Sequence, residues 1–577
     1  MRGNVAGTWA FVRMFVDRGL MPYRSYQPDR CKAEVRVLPS TPDRILVNGL
    51  ITTLADGGDL PAEVSALAIR DGVITAVGTD EEVRALADDS TEVVDLGGRR
   101  VVPGLIDSHV HFVRAGLTWN DELRWEDVYE LSTALSTIEE AARNQPEGTW
   151  IRVIGGWDEK QFTDGGRGPT REDLDRVAPN HPVYVQMQYA WVQLNTLAMT
   201  TMGIDDELVA GLTQGTFERD ETGALTGRGS GRLLMPWFYK QLPAPTFEEQ
   251  VASTAAVSRE FARLGMTGCI DGGGYNTGPD VYGPVYEAWR RGELVTRVRL
   301  YQHPSAPGME DEEIAGYARY LEPGFGDDLL RVSGIGEVIL YRSHDGIAEP
   351  GDTSDDAMDH HERLLAPLAA KGWSVQIHAH QRGYIDRLLD LWERIDKVHP
   401  IRDLRWTLVH AEPVGKQHIE RLKALGAGLM LQSLLRLNGE KAIATWGAER
   451  VAESPVLRAL HDAEVPIGLG SDAMRVASYN PFTSMQWFLT GLTVSGTPTL
   501  SKENLLSREE ALRGYTVGSA WCTFEEDVRG RLLPGYQADV AVLSKDFFTV
   551  PVEEIHTITS ELTLLGGRTV WSSGAVA

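Results

Sequence analysis

The stretch VVPGLIDSHVHF, residues 101–112, decides how this chain is read. An apolar run ends in Asp107-Ser108-His109-Val110-His111, so a short strand delivers two imidazoles at its end. Residues two apart on a strand face the same way, which points His109 and His111 to one side. Working outward, other apolar runs close in the same manner: Glu337 in SGIGEVILY, His378 in WSVQIHAHQ, His410 in RWTLVHAEP and Asp472 in PIGLGSDAM. Imidazole and carboxylate are the usual ligands of zinc, and of iron or manganese when more carboxylate is present. Ligands set at the C-terminal ends of successive strands describe a catalytic metal centre at the mouth of a parallel barrel.

The surrounding rhythm agrees. VPGLIDSH, TGCIDGGG, RVRLYQH, LRVSGIGEVILY, WSVQIHAH, LRWTLVHA, GAGLMLQS and VPIGLGSD read as strands. They alternate with amphipathic helical stretches such as TFEEQVASTAAVSREFARLG and MDHHERLLAPLAAKG, both closed by glycine. That alternation is the pattern of a parallel α/β fold. The two ends are different. DRILVNGLITTL, VSALAIRDGVITAVG and TEVVDLGGRRVVPG near the start, and GYQADVAVLS and ELTLLGGRTVWSSG near the end, are short strands broken by glycine turns. The expected organisation is an N-terminal extension at 1–42, disordered or loosely docked, and a composite β-sandwich from 43–103 and 525–577. A barrel spans 104–524, and an insertion at about 150–245 lacks the strand–helix rhythm. The extension carries an early Arg and a short apolar stretch, but Arg13, Asp17 and Arg18 interrupt it, so an export signal is the lesser reading.

Composition bounds the function. Over 577 residues the hydrophobic share of 42% and charged share of 24% are those of a soluble globular protein. A net charge of −26 with no basic stripe argues against nucleic acid and anionic membranes as partners. No apolar run is long enough to span a bilayer. The 3 cysteines, Cys31, Cys269 and Cys522, form no C-x-x-C pair, which favours a reducing, cytoplasmic setting over a disulfide framework.

With these residues on the page, the chain resembles the amidohydrolase superfamily, and within it amidohydrolase family 3, the group of N-substituted formamide deformylases and exoenzyme regulators. The carriers are VNGLITTL, PGLIDSHVHF, PTREDLDRVAPNHPVYV, IHAH, LVHAEPV, GLGSD and GRLLPGYQADVAVL. The resemblance implies a (β/α)8 TIM barrel beside a β-sandwich made from both chain ends, with the insertion near the barrel mouth. It also implies a metal site of His109, His111, His378, His410 and Asp472, holding one or two divalent ions, zinc first, manganese or iron otherwise. The fourth-strand position is commonly a carboxylated lysine; here the strand has no lysine, and Glu337 is the candidate for its bridging role. A homodimer is compatible with the resemblance.

The implied chemistry is hydrolysis of an amide-type, non-peptide carbon–nitrogen bond. A zinc ion brings a bound water from a pKa of ~15.7 to roughly 7. Asp472 would take its proton and pass it to the leaving amine. His380, two residues beyond His378 on the same side, is the candidate to assist the oxyanion, or to exchange roles with His378 as ligand. Ester hydrolysis, decarboxylation or hydration at the same centre is the alternative within enzymes, and a non-catalytic regulatory or binding protein the alternative outside them. His344 and Asp345 could line the pocket, as could Asp271, whereas Asp107 reads as a brace and His360 and His361 as surface residues. The insertion is rich in aromatics, among them Trp157, Phe162, Tyr184, Tyr189, Trp191, Trp237, Phe238 and Tyr239. They suit either a small apolar or aromatic amide substrate or the insertion's own core. No arginine pair stands out as a carboxylate clamp, so a free amino-acid or phosphorylated substrate is not expected.

Overall fold

The computed structural model describes residues 41–57, 60–231, 233–274 and 279–576. Nearly all of the expected extension at 1–42, and Cys31 with it, lies outside the described residues.

Eight parallel strands form one sheet in strictly consecutive order. They are β1 (Leu105–Val110), β2 (Met266–Asp271), β3 (Arg297–Gln302), β4 (Leu330–Ile335), β5 (Ser374–Ala379), β6 (Thr407–His410), β7 (Gly428–Gln432) and β8 (Ile467–Gly470). These are the eight runs picked out above. Six of them are buried at every residue, the signature of a parallel sheet covered on both faces. The sheet curls until β8 lies against β1. Asp107 holds that seam: its carboxylate accepts from the amides of His109 and Ser471, each at 3.0 Å, and from the Ser471 hydroxyl at 2.6 Å. Two backbone bonds continue the seam just above, Asp472 N–H to His109 C=O at 2.8 Å and His111 N–H to Ala473 C=O at 2.9 Å. The result is a TIM barrel.

The covering helices obey local rules. Phe247–Arg263 starts at a Thr246–Glu249 capping box and turns Val251, Val257 and Phe261 inward. Asp355–Ala370 is capped by Ser354 and buries Met358, His361, Leu365 and Leu368 along one face. His361 is therefore a core residue, hydrogen-bonded to the Tyr384 hydroxyl at 3.1 Å, and not the surface residue its acidic neighbours suggested.

Both chain ends meet in a six-stranded sheet in which Val540–Leu543 pairs antiparallel with Arg100–Pro103. A four-stranded sheet including Arg44–Val47 and Ala66–Arg70 packs with it around Leu46, Leu67, Val101, Val540 and Leu564. A buried charge network ties β3 to the C-terminal segment: Arg297 grips Asp539 through two bonds (2.9 and 3.0 Å), Arg299 grips Glu525 (2.9 and 2.7 Å), and Arg529 reaches both acids.

The stretch 150–245 lies within a longer excursion between β1 and β2. It contributes to a mixed six-stranded sheet whose edge strand begins at Glu122. The aromatics there mostly fill its core: Trp157 packs on Trp125 at 5.0 Å and on Phe162 at 5.5 Å, and Tyr184 on Phe238 at 5.6 Å. Its strand Ile151–Gly155 abuts the loop after β8, close enough that a Cβ on Gly156 would overlap Ala477. Among the described residues no helix is long and apolar enough to cross a membrane.

Candidate metal centre

Each strand end delivers its side chain to one buried point. His109 and His111 leave the end of β1, His378 is on β5, His410 closes β6, and Asp472 follows β8. Glu337 stands two residues past β4, where its N–H bonds Gly272 C=O (3.1 Å) and its C=O accepts from His378 N–H (3.3 Å). The preceding Gly336 makes this possible: its φ is +128°, and a Cβ there would overlap the Gln376 carbonyl. His410 and Asp472 also hold left-handed backbone, with φ of 65° and 62°. Such strain in non-glycine residues concentrates at functional sites.

Glu337 is central. Its Oε2 lies 3.3 Å from His378 Nδ1, and 3.5 Å from both His109 Nε2 and His410 Nε2, while Oε1 is 3.8 Å from His111 Nε2. Asp472 faces the other side, with Oδ1 at 3.0 Å from His111 Nε2 and 3.6 Å from His109 Nε2. Potential ligand atoms gather in overlapping triples, His109/His111/Asp472, His109/Glu337/His410 and His378/His380/His410, each within 4.8 Å.

The ring nitrogens reveal what the cluster is built to hold. His111 Nδ1 is 2.8 Å from the Gly273 carbonyl, and His378 Nε2 is 2.9 Å from the Asp345 carbonyl. A carbonyl only accepts, so these nitrogens carry protons and the opposite lone pairs face carboxylates. Among the described residues, neither nitrogen of fully buried His109 has a hydrogen-bond partner. Lone pairs aimed at carboxylates repel unless positive charge stands between them. The protonation tendencies say the same. Burial opposes charging of His378, yet Asp345 and Glu337 push it up to about 10. Against burial, the surrounding imidazoles hold Glu337 and Asp472 well below the usual carboxylate range. Buried donors of this type and spacing fit a divalent cation, with the outer nitrogens oriented by carbonyls as metal-bound histidines are.

His380 stands beside His378 and His410 and has a carboxylate partner of its own. Its Nδ1 is 2.8 Å from Glu412, which is buried, and its ring stacks on His410. Glu412 was not singled out in the sequence, although it stands two residues past His410, as His111 and His380 stand past their own neighbours. Asp345 does more than line the pocket: it accepts from the amides of His380 and Gln381 at 2.9 and 2.7 Å. His344 stacks on His378 at 3.9 Å. Asp271 accepts from Val113 and Gly273 amides and so secures the loops around β1 and β2.

Enzymes that hydrolyse carbon–nitrogen bonds with the help of a divalent ion bring imidazoles and carboxylates together at a barrel mouth, and that class is what this fold and site define. Residues 92–571 match the profile of the amidohydrolase family, and the chain belongs to that family. It is 27% identical to the putative amidohydrolase YtcJ of Bacillus subtilis, over 91% of this chain and 98% of that one. It is 26% identical to the N-substituted formamide deformylase of Arthrobacter pascens, over 87% and 94%. The fold is shared with a metal-dependent hydrolase of Pyrococcus horikoshii, with a TM-score of 0.63 at 20% identity over 88% of this chain and 99% of that one.

Proposed function

We propose that this enzyme hydrolyses a non-peptide amide of a small molecule with the help of one or two divalent ions, zinc foremost. The observation that carries the reading is the position of Glu337, whose one carboxylate lies 3.3–3.8 Å from the imidazoles of His109, His111, His378 and His410. His109, His111 and Asp472 would hold one ion, His378 and His410 a second, with Glu337 between them. A bound divalent ion supplies Lewis acidity, which acidifies water and polarises a carbonyl. Asp472 takes the proton from the attacking water and returns it to the departing nitrogen. The surrounding imidazoles hold its carboxyl well below the usual range, so it is ionised at neutral pH. His380, aligned by Glu412, is placed to donate toward the carbonyl oxygen as negative charge grows there. The free, buried Cys269 and Cys522 support a reducing, cytoplasmic setting.

The test is a screen of N-formyl, N-acyl and cyclic amides, with simple esters alongside, using protein reconstituted with zinc, manganese or iron. Amide turnover lost in Asp472→Asn, with the fold intact by circular dichroism, supports the reading. Turnover of esters alone would move the enzyme to that reaction, and turnover surviving Asp472→Asn would remove the proton-transfer role.

A further inference from the structure

No arginine pair stands out in the sequence as a carboxylate clamp, but the fold brings two distant arginines to the candidate centre. Arg114 follows His111 by three residues on the short helix Phe112–Gly116 and is buried. Arg475 follows Asp472 by three. Among the described residues neither guanidinium forms an ion pair: Arg114 donates to the Tyr189 hydroxyl at 3.1 Å, and Arg475 lies over the Tyr239 ring at 4.2 Å. Tyr189 and Tyr239 pack against the same apolar cluster of the insertion, so both guanidiniums rest on side chains of one cluster. The same glycine borders the candidate ligand and the guanidinium. A Cβ on Gly274 would stand 2.9 Å from His111 Nδ1 and 3.1 Å from Arg114 Nη1. Glu122, the carboxylate that acts on Arg475, is already engaged by Arg124 at 2.6 Å.

A buried cation without an anion is costly, and proteins ordinarily pair it. A guanidinium is also the group whose forked donors match a carboxylate. Here two such groups and two tyrosines lie on the side of His111 and Asp472, all supplied by segments that lead away from the candidate ligands or by the insertion.

We propose that Arg114 and Arg475, assisted by Tyr189 and Tyr239, form an anion subsite beside the metal centre, and that the substrate is an amide bearing a carboxylate. This rests on the hydrolytic reading of the centre. It adds a charged group to the apolar or aromatic amide considered from the sequence, since most of the aromatics that prompted that reading are packed in the insertion's core. The carboxylate seats between the guanidiniums and so presents the amide carbonyl to the ions, a positioning role for both arginines.

The experiment uses the zinc-loaded full chain and a matched pair, N-formyl-phenylalanine and N-formyl-phenethylamine, which differ by one carboxylate. Binding is read by calorimetry and hydrolysis by amine release. Expected is at least tenfold tighter binding of the carboxylate member. Arg475→Gln should abolish the difference, through KM wherever turnover is seen, and Arg475→Lys should restore part of it. Arg475 carries the test because Arg114 is buried and its removal endangers the fold. Equal binding of the pair, binding of neither, or a difference unchanged in Arg475→Gln would overturn the proposal. Tighter binding of the matching phosphonate would replace carboxylate with a dianionic group and overturn that assignment. Carboxylate-dependent binding without amide cleavage would sink the hydrolytic reading and leave the subsite. Cleavage with no preference would do the reverse.

Discussion

The ring of His380 lies flat on that of His410, with 4.4 Å between centroids and 15° between planes, while its Nδ1 is held 2.8 Å from Glu412. His380 is thus fixed from two directions by groups that come from a different strand and the loop beyond it. Glu412 orients the ring. Glu412→Gln is expected to lower kcat by about ten- to a hundredfold, the usual cost of losing such support. The metal content per chain should stay the same. Metal analysis beside steady-state kinetics checks this, and a fall in metal content would make His380 a ligand.

Glu337→Gln should reduce the number of ions per chain, because one oxygen of the amide is a poor substitute for a carboxylate that lies among four imidazoles. Adding zinc should raise the melting temperature of the native chain more than that of the variant. At a hundredfold excess over Kd the gain is about 2.7 kcal/mol for one site. Calorimetric scans with and without metal give the comparison, and identical stoichiometry would separate Glu337 from bridging.

Gly272 has room for no side chain. A Cβ there would overlap the His109 imidazole. Gly272→Ala is expected to displace that ring and weaken metal affinity by tenfold or more, with far-ultraviolet circular dichroism little changed. Zinc titration against a chelator of known affinity measures it, and wild-type affinity would mean that His109 is not a ligand.

Acid stability should depend on the network of Arg297, Arg299, Arg529, Glu525 and Asp539. Burial alone would raise the two carboxyl groups, but Arg299 and Arg529 hold Glu525, and Arg297 holds Asp539, below their ordinary values of 4.5 and 3.8. A depressed native pKa adds stability that is complete above the unfolded value and lost as pH falls toward the native one. Urea midpoints should therefore drop steeply from about pH 5 downward. Glu525→Gln should flatten that slope and cost about 3–5 kcal/mol near neutrality, because it strands buried arginines. A slope unchanged in the variant would contradict this.

The barrel could be read from the sequence because its strands are short, apolar and evenly spaced, and because six ligand-type residues stand at their ends. The order of His109, His111, Glu337, His378, His410 and Asp472 along the strands, together with the family resemblance, leads to the expectation that they converge, and the structure gathers them in overlapping groups. Other parts were not legible for physical reasons. Glu412 shares the two-residue spacing of His111 and His380, and Asp345 is a pocket candidate from the sequence, but what each holds depends on contacts between loops of different strands. His361 has acidic neighbours on the next helical face, and only the packing of Asp355–Ala370 shows that it turns inward. Arg114 and Arg475 are about 360 residues apart and reach the same centre only because β8 closes on β1. The insertion's aromatics were ambiguous for the same reason: their number says nothing about which way they face.

The strand that carries the first two imidazoles continues directly from Arg100–Pro103, whose neighbour is Val540–Leu543. During synthesis, therefore, all six converging side chains leave the ribosome before the segment that seats the first of their strands. A polypeptide ending before Val540 would contain every one of them and still lack the foundation of its own reaction chamber.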